Sequence, residues 1–189
     1  MKFKSIIYIL ILVLLTGCFK QKSKEHIGNV SFVQEIVATG EEREGSLAPD
    51  FFWYDESGKK VSFREYTNGK VVLVNFWATW CTFCKMTFSS LRAVNIDYAD
   101  DDVVVIGIAT YERTELTYRL DFVSKFVKER DMGFPVILDD DENSLWRAFG
   151  MDPGGVPTTV MIDRDGRIVK AFTGNRSEEG FAEEIVRLL

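Results

Sequence analysis

Residues 71–85 read VVLVNFWATWCTFCK. The first part is an almost continuous apolar run rich in β-branched residues, which is typical of a strand buried on both faces of a sheet. Apolar residues then recur at helical spacing from Phe88 to Val94. Cys81 and Cys84 therefore lie where a buried strand is predicted to pass into the N-terminus of a helix.

The rest of the chain continues this alternation of strand and helix patterns. The order predicts an α/β layer fold, with a central mixed sheet flanked by helices and an N-terminal β-hairpin extension. The other predicted elements are a hairpin from Phe51 to Phe63, a strand at 103–108, a helix from about Thr114 to Arg130, a strand at 134–138, a helix around 145–149 capped by Asp141 or Asn143, a hairpin at 158–172 and a final helix capped by Ser177.

The composition excludes several classes of function. The chain carries 23 basic and 29 acidic residues and a formal net charge of -6, which argues against a nucleic-acid partner. It has three cysteines and a single histidine, His26, too few soft ligands for a four-ligand structural zinc site. We therefore predict no metal, no cofactor and no nucleic acid.

Residues 1–17 have the layout of a secretory signal. Two lysines precede an apolar run from Ser5 to Leu15, and the small residues Thr16 and Gly17 precede Cys18. The tetrapeptide LTGC resembles the bacterial lipobox, which implies cleavage before Cys18, acylation of that residue and attachment to a membrane. The alternatives are an uncleaved signal anchor or an ordinary signal peptide in which Cys18 is incidental. In each case the domain is expected on the extracytoplasmic side, in a periplasm or at the cell surface.

Residues 18–46 are interpreted as a lipid-anchored tether, and residues 47–189 as the folded domain. The tether is rich in charged and small residues, but an alternating patch from Val30 to Val37 interrupts it. This patch could be an extra edge strand or a short helix, and its composition does not decide between them.

The position of the cysteine pair predicts redox chemistry. Unpaired N–H groups and the positive dipole end at a helix N-terminus stabilise a thiolate at Cys81. Cys84, one turn further on, can then attack the mixed disulfide formed at Cys81 and release the partner. We expect Cys81 to be the exposed member and Cys84 to be shielded. A purely structural disulfide and half of a metal site are the alternatives.

Several segments taken together resemble the TlpA/ResA-type thioredoxin-like proteins. That resemblance implies a thioredoxin fold and disulfide exchange outside the cytoplasm, with partner proteins such as apocytochrome c as substrates and a thiol donor at the membrane as the source of electrons. The matching segments are APDF at 48–51, GK at 58–59, GKVVLVNFWATWC at 69–81, GVPTT at 155–159 and IDRDG at 162–166.

The resemblance also assigns roles around the pair. Pro157 matches the cis-proline of the family, which faces the cysteines, and Val156 before it would offer main-chain hydrogen bonds to an extended substrate. Trp80 and Phe83 would form an apolar rim around Cys81, with ordinary core packing as the alternative for both.

Two departures from the family pattern follow the second cysteine. Thr87 and Ser89 stand where family members commonly carry Glu and Pro. A buried carboxylate near Cys84 would help to accept its proton, so we expect the second thiol to be harder to activate. Asn75 stands where thioredoxin has a buried Asp, although Asn is usual in the TlpA/ResA group.

Three functions of different classes are compatible with these patterns. The first is a protein-disulfide reductase that uses Cys81 and Cys84. The second is a thiol peroxidase, since APDF at 48–51 also opens peroxiredoxins, but the proline that precedes their Thr-x-x-Cys motif is missing and Thr79 lies only two residues before Cys81. The third is a non-catalytic lipoprotein that uses the fold as a binding module.

Overall fold

The computed structural model describes residues 30–38, 44–55, 57–151 and 154–189, apart from the side chain of Leu116. The predicted leader at 1–17, the lipidation site Cys18 and His26 lie outside these ranges. Within the described ranges, no helix combines the length and the apolar character needed to cross a membrane.

In the described part of the chain, eight strands form one mixed sheet. The strands are β1 Val30–Ala38, β2 Asp50–Tyr54, β3 Lys60–Ser62, β4 Val71–Trp77, β5 Val103–Ala109, β6 Val136–Leu138, β7 Thr158–Ile162 and β8 Ile168–Thr173. Their order in the sheet is β3-β2-β1-β6-β5-β4-β7-β8. The neighbours from β1 through β6 and β5 to β4 are parallel, and the other pairs are antiparallel.

Helices cover both faces of this sheet. The helices are α1 Phe63–Thr67, α2 Thr82–Asp97, α3 Leu116–Arg130, α4 Ser144–Ala148 and α5 Glu178–Val186, and a short 3-10 turn spans Ala99–Asp101. Apolar residues of α2, α3 and α5 pack on one face, and those of α1 and α4 pack on the other. The predicted thioredoxin-like α/β class with its N-terminal hairpin is confirmed.

Strand β4 is buried along its whole length. Leu73 and Trp77 face the layer of α2, whereas Val74 and Phe76 face the layer of α1 and α4, as the alternation of side chains along a strand requires. This burial on both faces is the physical reason for the nearly continuous apolar run in the sequence.

The alternating patch from Val30 to Val37, for which the sequence allows an edge strand or a short helix, is a strand but not an edge strand. β1 lies between the hairpin strand β2 and the short strand β6, with Val30 opposite Val136 and Phe32 opposite Leu138. The segment interpreted as a tether therefore contains part of the sheet. The local pattern could not reveal this position, because the parallel partner lies about a hundred residues away in the chain.

Two helix starts differ from the predictions. Phe63, expected in the hairpin, is the first residue of α1, and the Ser62 hydroxyl accepts the N–H of Glu65 at 3.2 Å. The final helix does begin after Ser177, whose hydroxyl accepts the N–H of Gly180 at 3.2 Å. The helix from about Thr114 begins instead at Leu116.

The N-cap residue of α4 is Asn143, one of the two predicted residues, but its side chain makes no capping hydrogen bond. Asp141 forms an ion pair with Arg119 at 2.6 Å. The carboxylate of Asp140 accepts the N–H of Ser144 at 2.8 Å, and the buried carboxylate of Asp139 accepts the next two N–H groups, from Leu145 at 2.9 Å and Trp146 at 3.1 Å. The buried capping carboxylate thus comes from the residue directly after β6, five positions before the first residue of the helix.

The place of β1 in the sheet can be tested with two substitutions in that strand. Val30 is 1% exposed and Val37 is 60% exposed. Val30→Asp would bury an unpaired carboxylate, so we expect it to lower the free energy of unfolding by about 2 kcal/mol or more. Val37→Asp should change it by less than about 0.5 kcal/mol. Urea unfolding of forms that begin after Cys18 measures both, and equal small effects would mean that β1 does not belong to the sheet.

Candidate active site at the cysteine pair

The two cysteines lie at the junction of β4 and α2. β4 ends at Trp77 and α2 begins at Thr82, so Cys81 is the residue that caps the helix. Its Sγ accepts the N–H of Cys84 at 3.1 Å. The predicted junction of buried strand and helix N-terminus is confirmed, and a thiolate at Cys81 would be stabilised by this N–H and by the helix dipole.

Cys81 and Cys84 are joined by a disulfide bond, with a sulfur–sulfur distance of 2.09 Å and a Cα–Cα distance of 5.3 Å. Cys81 is only 5% exposed and Cys84 is wholly buried. The expected order of exposure is therefore right, but the expectation of an exposed Cys81 is wrong for this disulfide state. The loop before β7 accounts for this burial, since the carbonyl oxygen of Val156 lies 3.6 Å from the Sγ of Cys81.

The loop before β7 places Val156 and Pro157 beside the pair. The peptide bond between these two residues is cis, as the resemblance implied. Pro157 is buried, and its carbonyl oxygen accepts the N–H of Gly174 at 2.8 Å. The structure thus brings Val156, the residue before the cis-proline, to Cys81, a contact that sequence spacing alone cannot show.

Large apolar side chains flank the pair on the solvent side. Trp80 is 42% exposed and Phe83 is 65% exposed, so neither side chain is packed in the core. Met86, which the sequence analysis did not single out, is also exposed and lies one helical turn after Phe83. In contrast, Trp77 is buried against Phe88 and other aromatic residues.

The loop after β5 is hydrogen-bonded to the loop that leads to the cysteines. The carboxylate of Glu112 accepts the N–H of Thr79 at 2.7 Å and the hydroxyl of Thr79 at 2.6 Å. The indole N–H of Trp80 donates to the carbonyl oxygen of Tyr111 at 2.8 Å. Three hydrogen bonds therefore fix the two residues that precede Cys81.

Glu112 is half-buried, and burial raises the pKa of its carboxyl group above the ordinary value of 4.5. The hydrogen bonds from Thr79 and the charge of Arg119 act in the opposite direction but do not cancel the effect of burial. Sequence reasoning missed this residue. A signal was present, because Glu112 follows a predicted parallel strand whose end meets the end of β4 at the same edge of the sheet.

Neutral side chains occupy position 87, where the resembling family commonly has Glu, and position 75, where thioredoxin itself has a buried Asp. Thr87 is wholly buried, and its hydroxyl lies 2.9 Å from Oδ1 of Asn175 and 3.3 Å from the carbonyl oxygen of Phe83. Asn75 is also buried, and its Nδ2 donates to the hydroxyl of Thr159 at 2.9 Å. The resolving cysteine thus has no carboxylate at either position.

The chemistry of the site rests on the two sulfur atoms themselves. A dithiol and a disulfide differ by two electrons and two protons, so the pair is a complete redox couple. Among the described residues, no three His, Cys, Asp or Glu side chains are grouped so that they could hold a metal ion.

Comparisons with known proteins point to one family. The sequence model of the redoxin family matches residues 43–187. The chain is 32% identical over 148 residues to the thiol-disulfide oxidoreductase ResA of Bacillus subtilis, with 77% of each chain covered. It is 30% identical over 144 residues to ResA of Bacillus thuringiensis subsp. konkukian, covering 76% of this chain and 78% of that one.

A solved structure shows the same fold. A thiol:disulfide interchange protein of the thioredoxin family from Chlorobium tepidum aligns with a TM-score of 0.64 and 30% identity, covering 78% of this chain and 98% of that chain.

The raised pKa of Glu112 predicts a pH dependence of stability. The folded protein holds this proton more tightly than the unfolded chain, so the stability from this group is full below pH 4.5 and is lost as the pH rises through the folded-state pKa. In the Glu112→Gln variant, the unfolding free energy should therefore decrease less steeply as the pH rises above 4.5. A residual slope is expected, since burial also raises the pKa of Asp139.

Urea unfolding between about pH 4 and pH 8 measures this dependence. Glu183→Gln on the exposed side of α5 is the matched control and should keep the wild-type slope. An unchanged slope in Glu112→Gln would contradict the assignment.

Proposed function

The chain belongs to the redoxin family and is a thiol–disulfide oxidoreductase, and we propose that it reduces disulfide bonds of partner proteins outside the cytoplasm. The observation that carries this proposal is the position of Cys81 at the N-terminus of α2, with Cys84 bonded to it one turn further on. A purely structural bridge would need no such position, and a bridge that closes so short a loop constrains the unfolded chain little.

The reaction begins from the reduced pair. The Cys81 thiolate attacks one sulfur of the partner's disulfide, that bond breaks, and the partner's other sulfur leaves as a thiolate that takes up a proton. Cys84 then loses its proton and attacks the Sγ of Cys81, which releases the partner's first sulfur as a second thiol. Two electrons and two protons pass to the partner, and the Cys81–Cys84 disulfide remains.

The N-terminus of α2 supports the first step. The Sγ of Cys81 accepts the N–H of Cys84, and the helix dipole favours a negative charge at this end. Both effects stabilise the thiolate relative to the thiol, which increases the fraction of nucleophile at neutral pH.

Residues around the pair would position the partner. An extended segment of the partner could pair with the main chain of Val156 next to Pro157, in the manner of strand addition. Trp80 and Phe83 offer exposed apolar surface next to Cys81. These side chains would cover the mixed disulfide and exclude water from it.

The setting follows from the leader sequence. Acylation of Cys18 would hold the domain at a bacterial membrane on its extracytoplasmic side. The oxidised pair would then be reduced by a dithiol protein at that membrane. Apocytochrome c, whose thiols must be reduced before haem attachment, is the partner that the TlpA/ResA resemblance implies.

The geometry of Thr79 argues against a thiol peroxidase. A peroxidase would use a threonine hydroxyl near its cysteine to bind peroxide, whereas the hydroxyl of Thr79 donates to Glu112. Consumption of hydrogen peroxide by the reduced protein at a rate similar to its disulfide exchange would reverse this assignment.

Cys84→Ser should trap the first intermediate, because the mixed disulfide at Cys81 can no longer be resolved. We expect adducts with cell-envelope proteins that disappear on reduction, detected by non-reducing electrophoresis and mass spectrometry. The Cys81→Ala, Cys84→Ala double variant is the control and should form none. Absence of adducts from the single variant, or full reductase activity in the double variant, would overturn the proposed function and favour a binding module.

Restoring a carboxylate at position 87 should speed the second step. Thr87 is wholly buried, so Thr87→Glu would place a proton acceptor in the layer that contains Cys84. We expect the mixed disulfide to collapse about tenfold faster or more, with a loss of stability from the buried carboxylate. Thr87→Gln is the control, since it adds similar volume without a base. Equal rates in both variants, measured by rapid-quench mass spectrometry, would contradict the prediction.

A further inference from the structure

Arg113 lies on the aromatic face of the residue that precedes Cys81. The guanidinium carbon of Arg113 is 4.3 Å from the centroid of the Trp80 ring, within the range of a cation–π interaction. The indole itself is held by its hydrogen bond to the carbonyl oxygen of Tyr111. The positive charge therefore lies beside Trp80, the residue before Cys81, although the Arg113 side chain is exposed.

The charge of Arg113 is not used by an ion pair within the described residues. The neighbouring Glu112 turns inward, where its carboxylate accepts two hydrogen bonds from Thr79. Glu115 is exposed and makes no ion pair with Arg113. An exposed guanidinium that stacks on an aromatic ring keeps its planar set of N–H donors free for a carboxylate.

A second cation follows the pair in the first turn of α2. Lys85 directly follows Cys84, and its Nζ is 5.7 Å from the centroid of the Phe126 ring. It too forms no ion pair within the described part of the chain. The chain as a whole has a formal net charge of -6, so Arg113 and Lys85 are two cations near the cysteines of an acidic chain.

We propose that the partner polypeptide carries an acidic side chain within a few residues of the disulfide that is reduced, and that Arg113 on Trp80 receives its carboxylate. This inference rests on the proposed function and specifies its substrate class. The acidic group has to be local, because a strongly acidic partner would be repelled by the net charge of the chain. An exposed pair of this kind contributes a modest factor and is screened by salt.

Three matched peptides test the proposal. Each contains one intramolecular disulfide, flanked by two Glu, two Gln or two Lys residues. The rate constant of each peptide with the reduced protein is divided by its rate constant with dithiothreitol, which also attacks as a thiolate, so that differences in intrinsic reactivity and the effect of the flanking charges on thiolate attack cancel. We expect the Glu peptide to react about threefold faster than the Gln peptide, the Lys peptide to be slowest, and high salt to reduce the differences.

Variants of Arg113 identify the group responsible. Arg113→Gln should remove the difference between the Glu and Gln peptides, and Arg113→Glu should reverse the order. Lys128→Gln removes the same charge in the last turn of α3, about 18 Å along the helix from its first turn, and should keep the wild-type order. Circular dichroism verifies that each variant is folded.

The outcomes separate the two proposals. Equal normalised rates for all three peptides, or a preference for Glu that persists in Arg113→Gln, would overturn the acidic-partner inference and leave the reductase function intact. If the reduced protein leaves all three disulfides unchanged, the reductase function fails, and the inference fails with it.

Discussion

The burial of β4 on both faces is the constraint on which the rest of the site depends. Because β4 packs between two layers of helices, its C-terminal end is held firmly within the sheet. Cys81 follows only four residues after Trp77 and caps α2 at once. The helix N-terminus therefore has one position relative to the sheet, and the N–H of Cys84 meets the Sγ of Cys81 without any flexible linker between strand and helix.

Two further segments reach the same edge of the sheet and complete the site. The loop after the parallel strand β5 brings Glu112 to Thr79, and the loop before the antiparallel strand β7 brings Val156 to Cys81. The loop after β4 leads to the cysteines. The loop after β5 holds it in place by hydrogen bonds, and the loop before β7 covers the Sγ of Cys81.

The sequence predicted the elements with strong local signals, but not those that depend on distant contacts. The apolar run of β4 and the Cys-x-x-Cys spacing identified the redox pair and its place in the fold. The capping role of Asp139 and the hydrogen bonds of Glu112 arise where parallel strands end side by side, which no periodicity within one segment records. The burial of Cys81 in the disulfide state depends on the loop at Val156 and is equally non-local.

The position of β1 has a mechanical consequence. If Cys18 carries the lipid, only residues 19–29 separate the anchor from a strand that is paired on both sides. Fully extended, these residues span at most about 40 Å. The domain would then be attached to the membrane by a short tether that continues directly into the sheet. Its sulfur atoms would stay close to the bilayer and react with disulfides presented near the membrane surface.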